Sequence, residues 1–351
     1  MGRIALEDDL EAIQEYFYAQ GLTDGHPILP PTPERVAAFL AAAGRDAQEE
    51  IAVLPPAFRV ATVEKIAVNA VMAWCKPEYM PLLLAAVEAM AGPAFNLYGL
   101  QATTHPSGTP LLIVNGPVRH DLGINCAQGC FGHGTRANAT IGRAIRLILT
   151  NIGGAYPGTS DMSTHGWPGK YGFCFGENEE LSPWEPLHVE RGFAPEDSTV
   201  TLVGTGGTYN FGDLWSTMAE GVLASAASAM SAYGTNNLGM GGQPALVLCP
   251  EHAAVLGEEG LSKAETKAAL FERCGSPLGR LAPELRQSRL RRHPADTPES
   301  LLKPIERPED LILLVAGGAG PHSVFIPTFG PDTWSVTTKI RRTARPSEPR
   351  P

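Results

Sequence analysis

Hydrophobic positions recur along this chain with two periods. In residues 62–75 (TVEKIAVNAVMAWC), Ile66, Ala67, Ala70 and Val71 fall at i, i+1, i+4 and i+5, the spacing of one buried helix face. Residues 81–91 and 136–150 follow the same period, the latter ending at Gly153-Gly154. Residues 5–20 predict a short amphipathic helix, 213–233 a long Ala-rich one and 263–274 another. Thr32 reads as an N-cap with Pro33 at the first helical position, and the helix continues to Ala43. Short apolar runs bounded by turn residues, at 110–114, 199–203, 245–249 and 311–316, predict buried strands. Residues 155–192 carry no period and are rich in Gly, Pro, Trp and His. The polar, Pro-rich tail 343–351 predicts disorder.

The order of elements suggests an internal repeat. Residues 85–123 align with 225–257 through Met90/Met230, Pro110/Pro244 and Leu122-Gly123/Leu256-Gly257. Residues 194–207 align with 307–320 through their Pro-Glu-Asp triplets, each strand then running into a Gly-rich loop. The expected fold class is α/β: two pseudo-repeated α/β units with short buried strands, Gly-rich loops at strand ends and flanking helices. The boundaries follow as an N-terminal helical and Pro-rich arm (1–60), a first unit (61–212) and a second unit (213–342). The first unit holds a long insertion at 124–192 that the second lacks. A long irregular segment inside a compact domain points to function.

Composition narrows the classes. With 351 residues and 43% hydrophobic positions the chain can bury a sizeable core. Its net charge of −10 makes nucleic acid an unsuitable partner. No window of 18 uninterrupted apolar residues predicts a membrane span. The N-terminus lacks the apolar run of a signal peptide, and the six scattered cysteines read as reduced thiols, which together suggest a cytoplasmic protein.

Four constellations carry candidate chemistry. In FGHGTRANATIGR (131–143), a Gly-rich helix entry with Arg136, Asn138, Thr140 and Arg143 would hold a carboxylate or phosphate; the plainer reading is an ordinary helix entry. Cys126, Cys130 and His133 would bind Zn or an Fe–S cluster if His120, His165 or Cys174 supplied a fourth ligand; small cysteines in such loops are more often filler. In HGWPGKYGFCFGENEE (165–180), an extended backbone would put Lys170 and Cys174 on one face. Lys170 would then favour a Cys174 thiolate nucleophile and Glu177 would act as general base, with His165 and Tyr171 as further acid/base groups. Against this stands a half-buried strand with an inert thiol. The Gly-loops 204–213 and 316–323 fit no nucleotide motif, yet their matching placement suggests a shared site with Gly206, Asn210 and His322. Of the other histidines, His105 reads as a turn residue, His188 as a brace to Glu190 or Arg191, and His252 and His293 as surface residues.

At GLTDGHPILPPTPERV, NAVMAWCKPEYMPLLLAAVEAM, RANATIGRAIRLI and GKYGFCFGENEELSPWEPLHVERGF, the chain resembles an uncharacterised bacterial family associated with the selenoprotein-related UGSC group. The resemblance spans residues 20–340. The U/C-G-S-C motif is missing; Cys274-Gly275-Ser276-Pro277 is the nearest string. The resemblance implies a cytoplasmic α/β enzyme-like fold and no particular reaction.

The sequence thus predicts an enzyme without cofactor, a homo-oligomer, that breaks or forms a carbon–heteroatom bond in a small anionic molecule, as a lyase or hydrolase. The alternatives are a metal or redox-thiol protein using Cys126, Cys130 and His133, and a non-catalytic subunit of a larger complex.

Overall fold

A computed structural model describes residues 4–102 and 108–341; His105 and the tail 343–351 lie outside the described residues. The chain is mixed α/β. Its main body is two four-stranded sheets packed face to face, with helices on both outer faces.

In the first sheet the central strand Thr109–Asn115 pairs antiparallel with Thr199–Thr205 and parallel with Cys174–Gly176, and Val336–Lys339 closes the edge beyond Thr199–Thr205. In the second, the central strand Ala245–Leu248 pairs antiparallel with His322–Ile326 and parallel with Ile312–Val315, and Tyr209–Gly212 closes the edge beyond His322–Ile326. The central strands are buried on both faces, which is why they read as unbroken apolar runs.

Alternate residues divide the core. Leu112, Val114, Val200 and Leu202 face helices Val63–Met72, Met80–Ala91 and Arg136–Asn151. Leu111, Ile113, Phe175 and Val203 face the opposite way and meet Val247, Ile312, Leu314 and Ile326 of the second sheet. The second sheet's outer face, with Leu246, Leu248 and Leu313, packs on helices Ala219–Met230, Pro250–Glu258 and Lys263–Arg273.

Four expectations change. Strands 199–205 and 312–315 do not occupy matching positions, since one runs antiparallel to its central strand and the other parallel. The boundary at 212/213 does not separate the sheets: Tyr209–Gly212 belongs to the second sheet and Val336–Lys339 to the first. Helix Pro33–Ala43 is no detached arm, because Val36, Phe39 and Ala43 are buried in the first unit's core. The Ala-rich helix also starts later than expected, at Ala219, because Asp213 accepts from the backbone N–H groups of Trp215 and Ser216 and holds a turn there.

Candidate functional site

The irregular segment 155–171 folds back over helix Arg136–Asn151 and meets the loop 21–25. Two glycines permit this. A side chain on Gly142 would meet the backbone of Gly172 and Phe173 within 3.0 Å, and one on Gly172 would meet the backbone of Gly142 and Arg143. Helix and loop therefore touch backbone to backbone, and the loop stands over a pocket of about 770 Å³.

Arg146, Asp161, Ser163, His165, Trp167, Lys170 and Tyr171 line this pocket, with Asp24 and Tyr156 on the far wall. The Lys170 ammonium lies 2.6 Å from an Asp161 carboxylate oxygen and donates to Ser163 Oγ, also at 2.6 Å. Asp161 accepts in turn from Ser163 Oγ at 2.8 Å and from its backbone N–H at 3.2 Å. Lys170 and Asp161 side chains are 14% and 6% exposed, so the pair is largely shielded from water. Burial pulls the Lys170 amine below its ordinary value, and Asp161 opposes this without cancelling it. Burial pushes the Asp161 carboxyl up, but Lys170 and Ser163 outweigh it and hold the group below the usual carboxylate range.

Arg146 donates to the Lys170 carbonyl, Gln101 Oε1 and Thr109 Oγ1, none of them charged. Arg143 grips the Asp24 carboxylate at 2.8 and 2.9 Å. With Lys170 protonated, three cations stand against two carboxylates; with Lys170 neutral, Arg143 and Arg146 balance Asp24 and Asp161. Among the described residues, the buried Trp167 indole N–H has no partner.

Of the residues expected to do chemistry, Lys170, His165 and Tyr171 line this pocket. Cys174 does not. It is 4% exposed and packs on the helix side of the first sheet, and burial pushes its thiol far up, which disfavours a thiolate there. Glu177 is fully buried and does not line this pocket. The backbone turns through a single 3₁₀ turn at Pro168–Lys170 before the strand begins at Cys174, so the shared face expected for 170–176 does not exist.

The expected anion anchors are occupied otherwise. Arg136 is exposed and donates to the Trp74 carbonyl; Thr140 Oγ1 donates to the Arg136 carbonyl. Asn138 is buried and ties Asn125 to the Cys130 carbonyl. Arg143 holds Asp24. The Gly-loops do not share a site: Gly206 N–H donates to the Pro327 carbonyl, whereas Gly317 N–H donates to the Cys126 carbonyl. Asn210 and His322 do meet, 3.1 Å apart on neighbouring strands, but both are exposed.

Cys126 is half-buried beside Arg119, Cys130 is buried with its thiol pushed up to about 12 by desolvation, and His133 is exposed. Among the described residues, no three His, Cys, Asp or Glu side chains converge to hold a metal ion. His188 is buried near Glu179 and the Pro195 carbonyl rather than braced to Glu190 or Arg191.

His252 is not a surface residue. It is 3% exposed, its Nδ1 lies 2.7 Å from Ser323 Oγ, and its backbone N–H donates to Cys249 Sγ at 3.4 Å. Burial raises the Cys249 thiol, but His252 outweighs it and brings the thiol below its ordinary value. The signal was present as Cys249-Pro250, an N-cap followed by a proline at the first helical position. Ser163 was missed as well, because its contact with Lys170 depends on how an aperiodic loop turns.

No family model and no curated protein matches the chain. Among the described residues, no single helix is long and apolar enough to cross a membrane.

Proposed function

We propose that this protein is a hydrolase that cleaves an ester or amide bond in a small organic anion. Ser163 is the nucleophile and Lys170 the general base. The observation that carries this reading is the 2.6 Å contact between Lys170 Nζ and Ser163 Oγ on the wall of a pocket that Arg146 also lines. A serine hydroxyl is a weak nucleophile until an adjacent base takes its proton. A buried amine with a lowered pKa is such a base.

In the proposed reaction, neutral Lys170 takes the Ser163 proton as Oγ attacks the substrate carbonyl carbon. The tetrahedral intermediate collapses, the leaving alcohol or amine takes the proton from Lys170, and an acyl-Ser163 ester remains. Water then attacks this ester while Lys170 accepts its proton. Ser163 recovers that proton as it leaves, and the carboxylic product departs. Asp161 positions both partners. The unpartnered Trp167 N–H is a donor available to a substrate oxygen, and Arg146 favours the substrate's negative charge.

The test is covalent capture. A serine-directed phosphonate should add its mass at Ser163 in the wild-type protein and not in Lys170→Met. Labelling elsewhere, or equal labelling of Lys170→Met, would remove the basis of the reading.

The reading extends to a cytoplasmic homo-oligomer. Leu214, Trp215 and Met218, 60%, 88% and 62% exposed within one short segment, support self-association. It extends also to two halves related by an approximate two-fold repeat. The strand orders support this if Cys174–Gly176 is matched with Ile312–Val315, and Thr199–Thr205 with His322–Ile326.

A further inference from the structure

Among the described residues, seven buried side-chain nitrogen or oxygen atoms lack a hydrogen-bond partner, and four of them belong to one neighbourhood outside the pocket. These are Asn115 Oδ1, Glu177 Oε1, His188 Nδ1 and Thr199 Oγ1. All four residues are fully buried. Three form a row across adjacent strands. Asn115 is the register partner of Thr199, and Asn115 Nδ2 donates to Glu177 Oε2 at 2.5 Å. Directly opposed residues share a sheet face. Here it is the face of Ile113, Phe175 and Val203, so the row lies between the two sheets. His188 closes the end, because the N–H of the preceding Leu187 also donates to Glu177 Oε2, at 2.8 Å.

The open atoms share a character. His188 Nε2 lies 3.3 Å from the Pro195 carbonyl, which only accepts, so Nε2 carries the proton and Nδ1 presents a lone pair. The nearest acid to Nδ1, Glu179 Oε1, is 3.9 Å away. Carboxylate, amide and hydroxyl oxygens present lone pairs too. Four buried polar atoms of one neighbourhood, each with a lone pair to offer, therefore have no donor among the described residues, which natural interiors avoid.

Charge is balanced around the row: Arg119 is paired with Glu179 and Glu180, Lys263 and Lys267 with Glu190, and Arg191 stands beside Glu190, so with ionised Glu177 four carboxylates meet four cations. Among the described residues Glu177 itself bonds to Asn115 and the Leu187 N–H, both uncharged, and forms no ion pair.

We infer that Glu177 Oε1, Asn115 Oδ1, Thr199 Oγ1 and His188 Nδ1 form a binding site for a small monovalent cation. Ammonium matches best, with four N–H donors for four acceptors and a single charge. Potassium and sodium would use the three oxygens. A divalent ion would overcompensate the single Glu177 carboxylate.

The experiment is thermal unfolding at pH 8 and fixed ionic strength in ammonium, potassium, sodium or tetramethylammonium chloride. The small cations should raise the midpoint saturably, by about 3 °C or more, with ammonium strongest and tetramethylammonium without effect. Glu177→Gln should abolish the shift, and Thr199→Val, which keeps the shape, should weaken the apparent affinity about tenfold. Ser163→Ala should keep the full shift, which separates this site from the proposed hydrolase site. Equal midpoints in all four salts, or an unchanged shift in Thr199→Val, would overturn the inference. So would a midpoint that rises only as pH falls through 7 and ignores the cation, since a proton would then be the occupant.

Discussion

Lys170 Nζ and Ser163 Oγ lie 2.6 Å apart although seven residues of irregular chain separate them. Their contact depends on Asp161, which accepts from both, and on the backbone contact of Gly142 with Gly172 that sets the loop over its helix.

Removing the nucleophile should separate function from folding. Ser163 is half-buried and its hydroxyl serves the Asp161–Lys170 pair. Ser163→Ala should lower turnover by about a thousandfold or more while stability falls by only ~1 kcal/mol. Assay of hydrolysis against denaturant unfolding of the same variant checks this.

Breaking the ion pair should behave differently. Lys170→Met leaves the Asp161 carboxylate buried and uncompensated, at a cost of about 3 kcal/mol. Adding Asp161→Asn should recover most of that stability and none of the activity. A double-mutant cycle by urea unfolding measures both.

The rate should depend on pH in one direction. Lys170 must be neutral to act, and burial holds its pKa below 10.5. Turnover should therefore rise with pH through a single limb whose midpoint lies below that value. Asp161 raises the Lys170 pKa, so Asp161→Asn should move the limb to lower pH. A pH–kcat profile of both proteins decides it.

Glu177 gives a stability prediction of opposite sense to an ordinary carboxylate. Desolvation lifts its pKa from 4.5 to about 7 in the folded state. The folded protein then binds the proton more tightly, so the contribution is fully present below pH 4.5 and is lost as pH rises through 7. In tetramethylammonium buffer, Glu177→Gln should be more stable than wild type at pH 8 by up to about 3 kcal/mol. The difference should vanish towards pH 4.5. Chemical unfolding across that range measures it.

Thiol reactivity should follow exposure. Cys126 is half-buried, whereas Cys75, Cys130 and Cys174 are buried; burial raises all four thiols. Brief alkylation of the native protein, followed by mass spectrometry, should label Cys126 before any of these three.

The sequence made the helices at 63–72, 80–91 and 136–151 legible, since each buries one face and so repeats with the helical period. The central strands showed as apolar runs for the same physical reason, burial on both faces. The edge strand Tyr209–Gly212 did not show. It is mostly exposed, so its side chains obey no hydrophobic pattern. Of the candidate site, Lys170, His165 and Tyr171 were legible as chemistry-bearing residues in an aperiodic segment. Ser163 and Asp161 were not, because nothing periodic dictates how that loop turns. Cys174 misled because the extended backbone expected from Lys170 does not form: the chain makes a 3₁₀ turn at Pro168–Lys170, and Gly172 meets the helix at Gly142.

The exchanged edge strands make each half a custodian of the other. Tyr209–Gly212 leaves the end of one half to complete the sheet of its neighbour, and Val336–Lys339 returns the gesture from near the far end of the chain. A cut at residue 212, the natural place to divide the sequence, would leave the first piece carrying a strand it cannot use and missing one it needs. Neither piece should fold from that cut, yet the two mixed together should find each other as a complemented pair. A truncation before Val336 would likewise damage a sheet whose other strands all lie within the first 205 residues.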